Sequence, residues 1–382
     1  MLFAAITLAG LGKVLTFLVM LSILVVLHEF GHFLLARRNG VRINEFSVGM
    51  GPRLLGWRSP RTGTEYSLRL LPIGGYCAML GEDGKTNEAE QQREFREQRA
   101  SEPQQLDSAN FQAKSPWRRL AIIVAGPVAN FVLAYIILLF GALAFGVQSD
   151  TQNQAVVYTV EQGTPASEND VRAGDAIVEI EGKPVTSGAA LIAKIHGSLG
   201  KPLDLVFVRN GQRRLLTLTP KPCPREENVH WGCIGFVPFP AYVRVSVPQA
   251  FVASANEYAA VVAGTFGSIA LLVTHFSTYA SQVSGPIGIG QAATTIQDFG
   301  WGPYCWLAAT ISFALGLFNL LPIPALDGGR AAFVVAELIR GKPVDPEREG
   351  MVHVAGFAVL MLLMLVVAFH DISRIVSGQG VF

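Results

Sequence analysis

Charge is scarce in this chain. Asp, Glu, Lys and Arg make up only 15% of the 382 residues, 50% are hydrophobic, and the mean hydropathy is +0.37. That is too apolar for an ordinary soluble domain and fits a membrane protein carrying soluble inserts. The few charges nearly cancel, to a net +1, so no global field points to a nucleic acid partner. Cysteine is scarce too. Cys77, Cys223, Cys233 and Cys305 form no C-x-x-C pair, which argues against a cysteine zinc site. Cys223 and Cys233 close a short loop, a spacing that leaves a disulfide and two free thiols both open. The apolar N-terminus lacks a basic leader and a clear small-residue cleavage site, so it is expected to stay as a membrane span.

Against that background stands His28-Glu29-Phe30-Gly31-His32, inside an apolar run over about 14–36. On a helix, residues four apart share a face. Two imidazoles can then meet one metal ion, with Glu29 beside them to take a proton from water. H-E-x-x-H does arise by chance, and most lone histidines are satisfied core residues. Two His and one Glu within a membrane-length stretch are costly, however, and a functional site is the default reading.

The first span ends on Arg37 and Arg38, and Arg42, Arg53, Arg58, Arg61 and Arg69 follow. By the positive-inside rule this segment is cytoplasmic and the N-terminus lies outside. Residues 44–80 alternate as Phe46, Val48, Met50 and as Tyr66, Leu68, Leu70, with glycines at the bends. They read as β structure: a small cytoplasmic hairpin, or a sheet dipping into the membrane beside the motif. An exposed edge there could take up an unwound substrate strand. Residues 82–114 read as a polar cytoplasmic loop. The second span, about 120–145, contains Gly126-Pro127 and Asn130, an amide that needs a partner in lipid.

Residues 154–220 form a soluble module, with strands expected at 156–160, 176–180, 203–209 and 215–218 and a helix over 189–199. Further spans are expected at about 301–321 and 351–369. The stretch 249–281 is interrupted by Ser, Thr, Asn, Glu and His. It reads as one or two amphipathic or interfacial helices, a fifth span being the competing reading. Four spans leave both termini outside and put Asp327 on the same side as the two histidines. Zinc hydrolases commonly keep three protein ligands and one open position. Among distant carboxylates Asp327 is the best third ligand and Asp371, at the outer end of the last span, a weaker one; taken alone, Asp327 reads better as a plain helix-capping Asp.

These motifs, in this order, resemble the site-2 intramembrane zinc metalloproteases. The segment from Asp170-Val171-Arg172-Ala173-Gly174-Asp175 to Gly182-Lys183-Pro184-Val185 resembles a bacterial PDZ domain. Ser284-Gly285-Pro286-Ile287-Gly288 and Asn319-x-x-Pro322-x-Pro324-x-Leu326-Asp327-Gly328 follow as in that family. Phe46-Ser47-Val48-Gly49, Gly63-Thr64-Glu65-Tyr66 and Pro72-Ile73-Gly74-Gly75-Tyr76 are similar to its bacterial, regulator-of-sigma-E-protease-like branch.

The resemblance implies a polytopic α-helical membrane protein with about four spans, a membrane-associated β-hairpin sheet and an inserted extracytoplasmic PDZ-like α+β domain. Its divisions are 1–147, 148–222, 223–300 and 301–382. It implies one Zn²⁺ held by His28, His32 and Asp327, with Glu29 as general base. Asn319, Pro322, Gly74, Gly75 and Asn130 are the implied substrate contacts. The implied activity is cleavage of single-pass membrane proteins within their spans, anti-sigma factors and remnant signal peptides being the expected classes. The PDZ-like domain would take peptide ligands. The implied location is the bacterial cytoplasmic (inner) membrane, with the active site near the cytoplasmic side. One departure stands: that branch typically carries two tandem PDZ domains, and this chain has room for one. Two other classes compete. A catalytically idle PDZ scaffold is disfavoured by the intact Glu29. A zinc transporter would spread His/Asp pairs over several helices.

Overall fold

The computed structural model describes residues 8–82, 107–149, 155–185, 188–223, 231–279, 283–342, 344 and 346–376. Most of the loop expected over 82–114 lies outside the described residues. The longer described helices run in chain order as α1 (Leu8–Arg38), α2 (Pro116–Phe145), α3 (Gly188–His196), α4 (Val247–Thr274), α5 (Pro286–Ile296), α6 (Trp301–Leu320), α7 (Asp327–Arg340) and α8 (Pro346–Val376). Two compact units result: Met1–Leu138, Ala255–Thr295 and Cys305–Phe382 form one, Leu139–Ser254 and Ile296–Tyr304 the other.

In the first unit, small residues let the apolar helices approach. A Cβ on Gly31 of α1 would lie 2.4 Å from the Ala125 carbonyl oxygen of α2, and one on Gly316 of α6 would lie 2.8 Å from the Pro127 carbonyl oxygen. Close backbone contact of this kind is how helices pack in lipid, where no hydrophobic force separates helix from solvent. Ser312 Oγ of α6 donates to the Asn130 carbonyl at 2.9 Å, so the polar groups of two spans satisfy each other. At its end α1 passes into Gly40 at φ 67°, and Val41 N–H returns to the Ala36 carbonyl at 2.9 Å, stopping the helix.

The chain then forms β1 (Ile43–Arg58) and β2 (Glu65–Met79), an antiparallel pair. β1 bends at Gly49 and Gly51, φ 84° and 83°, and β2 bends at Gly74, φ 77°. The two long strands thereby give four short runs, ordered 53–58, 65–69, 43–48 and 75–79. Ser22 of α1 donates its hydroxyl to the Pro72 carbonyl. A Cβ on Gly75 would lie 3.2 Å from Val26 Cγ2, so the last run lies against the metal-motif helix.

Among the described residues, five helices are long and apolar enough to cross a membrane, where the sequence reading counted four. The addition is α4. It covers most of the stretch read as one or two amphipathic or interfacial helices and is one continuous 28-residue helix, its hydroxyls bonding back within its own ladder. Thr265 Oγ1 donates to the Val261 carbonyl and Thr274 Oγ1 to the Ala270 carbonyl, each at 2.8 Å and four residues back.

The second unit is built on a seven-stranded sheet. Its strands are β3 (Val147–Ser149), β4 (Ala155–Val160), β5 (Ala176–Ile180), β6 (Lys183–Pro184), β7 (Leu203–Arg209), β8 (Gln212–Leu218) and a later strand, β11 (Phe236–Val243). The order is β3-β11-β4-β5-β7-β8, with β6 on β5. Val157, Ile177, Leu205, Phe207 and Leu218 from the sheet and Leu191 from α3 are almost fully buried and form its core. Between β8 and β11, β9 (Lys221–Pro222) pairs with β10 (Gly232–Cys233), and Cys223 is disulfide-bonded to Cys233 with the Cα atoms 5.0 Å apart.

Candidate metal centre

α1 presents His28 and His32 on one face, one turn apart, and the start of α7 presents Asp327 to both. The two Nε2 atoms lie 3.2 Å apart; Asp327 Oδ2 is 2.9 Å from that of His28 and 3.2 Å from that of His32. Both imidazoles are buried. Three ligands at about 2.0–2.2 Å from one tetrahedral ion sit roughly 3.3 Å from one another, so the spacing fits zinc.

The surroundings fit as well. A Cβ on Gly126 of α2 would lie 2.2 Å from His32 Nε2 and 2.8 Å from His28 Nε2, so only glycine leaves the donor atoms room. His32 Nδ1–H donates to the Ile122 carbonyl at 2.9 Å, which fixes the tautomer that frees Nε2 for a metal. His28 Nδ1 lies 3.1 Å from the Asn130 amide, which is fully buried. A second group, His196 with Cys223 and Cys233, also brings potential ligand atoms within 4.8 Å. Its sulfurs are bonded to each other and cannot serve as thiolates.

Glu29 Oε2 accepts the Cys77 backbone N–H at 3.0 Å, on the outer side of the 75–79 run. Gly74 and Gly75 are buried between β1 and α1. Asn319 is half-buried near the end of α6, its amide donating to the Leu315 carbonyl at 3.0 Å, and Pro322 is exposed just beyond. Asp371 is remote from this group in function: its carboxylate accepts the N–H groups of Gly285 at 3.1 Å and Gly288 at 2.8 Å, capping α5. The Ile122 carbonyl left no trace in the sequence, since any residue carries one. Gly126 was visible only as part of the Gly126-Pro127 pair in the second span.

The family model for Peptidase family M50 matches residues 16–363. The zinc metalloprotease RasP of Geobacillus kaustophilus is 31% identical, across 95% of this chain and 98% of its own length. The regulator of sigma-W protease RasP of Bacillus subtilis is 30% identical, across 95% and 99%. Among solved structures, the PDZ domain of the SdrC-like protein from Listeria monocytogenes is 22% identical over 24% of this chain and 92% of that one, with a TM-score of 0.21. With the family match running from α1 into α8, the chain belongs to peptidase family M50 and is a zinc metalloprotease.

Proposed function

We propose that His28, His32 and Asp327 hold one zinc ion and that Glu29 is the general base of an endopeptidase working within the membrane. One observation carries this: three donor atoms meet within 2.9–3.2 Å although Asp327 is 295 and 299 residues from its two partners. Bound zinc supplies Lewis acidity, which acidifies water and polarises a peptide carbonyl. Glu29 takes a proton from the attacking water and returns it to the leaving nitrogen. The Ile122 carbonyl orients His32. Asn130 orients His28, turning its amide oxygen to the Nδ1–H that a metal on Nε2 requires. In this reading Asn130 serves the imidazole, in place of the substrate contact the resemblance implied.

A helical substrate hides its carbonyls in i→i−4 bonds and must unwind before attack. The 75–79 run beside Glu29 offers the unwound strand a ladder, with Gly74 and Gly75 keeping that run close to α1. Asn319 and Pro322, at and just beyond the end of α6, are the further substrate contacts of this reading.

Sidedness follows from charge and parity. The arginines after α1 lie in the cytoplasm, so α2 runs outward and the second unit is extracytoplasmic. For Asp327 to meet His28, α6 must run inward. An even number of crossings then separates α2 from α6. α5, at 11 residues, is too short to cross, so α4 lies along the outer leaflet despite its length. The extracytoplasmic module is read as one PDZ-like peptide-binding domain, 148–222 in the division 1–147, 148–222, 223–300 and 301–382, with β11 added to its sheet. One relative is named for regulating sigma-W. We extend that to single-pass anti-sigma factors and remnant signal peptides as substrates in a bacterial cytoplasmic membrane.

The test is Glu29→Gln in the purified full chain. It should keep zinc and lose cleavage of a single-span substrate, because an amide cannot accept the proton. Cleavage at the wild-type rate would sink the base assignment, and full zinc content in His28→Ala or His32→Ala would sink the ligands.

A further inference from the structure

Ala325 has φ 76°, in the left-handed region. The other described non-glycine residues there are Asp170, Glu181 and Asn210, all polar and all in the second unit. Alanine has no polar side chain to compensate for this conformation, which the surrounding structure must therefore impose. The residue stands two positions before Asp327.

The loop around it is tightly determined. Ile323 N–H donates to the Leu321 carbonyl at 2.7 Å and Leu326 N–H to the Ile323 carbonyl at 3.2 Å. A Cβ on Gly328 would lie 2.1 Å from the Leu321 carbonyl oxygen, and one on Gly329 would lie 2.5 Å from that of Ile323, so the loop folds back onto the first turn of α7. The Ala325 N–H goes elsewhere, donating to His353 Nδ1 of α8 at 2.8 Å. One turn along α8, a Cβ on Gly356 would lie 2.3 Å from Pro324 Cβ. α8 therefore lays a histidine and a glycine against the loop that delivers Asp327. An accepting Nδ1 leaves the ring proton on Nε2, which lies 3.9 Å from Glu349 Oε1 one turn earlier.

We infer that His353 is a positioning residue for the metal centre: it holds Ala325 left-handed and so aims the Asp327 carboxylate at His28 and His32. The inference rests on Asp327 being a zinc ligand, as proposed above. Without the acceptor, the Ala325 N–H loses its partner, the loop relaxes toward negative φ, and the carboxylate turns away. Metal affinity is sensitive to such outer contacts, typically by 10–100-fold.

The experiment is chelator competition for zinc on the purified full chain, with melting temperature recorded beside it. His353→Ala should weaken zinc about tenfold or more. Ala325→Gly should bind zinc as the wild type does, since glycine adopts positive φ without cost. Added to His353→Ala, Ala325→Gly should restore most of the lost affinity. Ala325→Val, with His353 intact, should reproduce the loss. Wild-type zinc affinity in His353→Ala overturns the inference. So does a loss that Ala325→Gly fails to restore, because His353 would then act through the packing of α8. Asp327→Asn separates the two levels: if it keeps zinc, the ligand reading falls and this inference with it. If it loses zinc while His353→Ala keeps it, only this inference falls.

Discussion

The carboxylate of Glu29 accepts the backbone N–H of Cys77 at 3.0 Å. The acid comes from a membrane-length helix and the amide from a strand that returns to it after two glycine bends. The proposed base is therefore held by the same sheet run proposed to carry the substrate, and a strand added at that edge competes with Glu29 for one amide.

Because the backbone makes this contact, the Cys77 thiol should be dispensable. Cys77→Ala is expected to cleave within about threefold of the wild-type rate. Glu29→Asp draws the carboxylate back by one methylene and is expected to lose roughly 10²-fold or more in rate. Zinc analysis beside cleavage kinetics checks both, and a loss of zinc in Glu29→Asp would count against the assignment.

Gly126→Ala should empty the centre, since the added methyl takes the space of the two imidazole nitrogens. Asn130→Leu, similar in size but without an acceptor, is expected to weaken zinc about 10–100-fold, whereas Asn130→Asp should keep it. Equal zinc affinity in the Leu and Asp variants would show that Asn130 does not orient His28.

In the second unit, Arg209 grips buried Asp175 with two bonds, Nε to Oδ1 at 2.6 Å and Nη2 to Oδ2 at 2.7 Å. Arg209→Met strands that carboxylate and should cost the module about 3–5 kcal/mol. Exposed Asp170 is held down to about 2 by Arg172 and Arg209. Its ordinary value is about 3.9, so its contribution is complete above that value and is lost as the pH falls toward 2. Protection factors of the β5 and β7 amides, exchange rates corrected for the intrinsic pH dependence, should fall across that window in the wild type and less in Asp170→Asn. An unchanged profile in that variant would remove Asp170 as the cause.

The local devices were legible in the residues. The H-E-x-x-H spacing, the alternation in β1 and β2, and the strands at 176–180 and 203–209 all follow from short-range periodicity, which burial and backbone geometry impose directly. The family resemblance carried the zinc chemistry as well. α4 was harder, because hydropathy does not distinguish a helix lying in the interface from one crossing it. The bond between Cys223 and Cys233 was also open, since spacing says nothing of Cβ direction.

By itself, the sequence determined which residue types could hold a metal and which stretches could lie in lipid, because composition and periodicity are local properties. Only the tertiary structure decided what surrounds them. Gly126 is a cradle because α2 crosses α1 at His28 and His32, and the Ile122 carbonyl orients His32 because of the same crossing. His353 reaches Ala325 because α8 docks against a loop 28 residues away. Such contacts depend on helix crossings and on backbone atoms that every residue carries, so no side-chain pattern announces them.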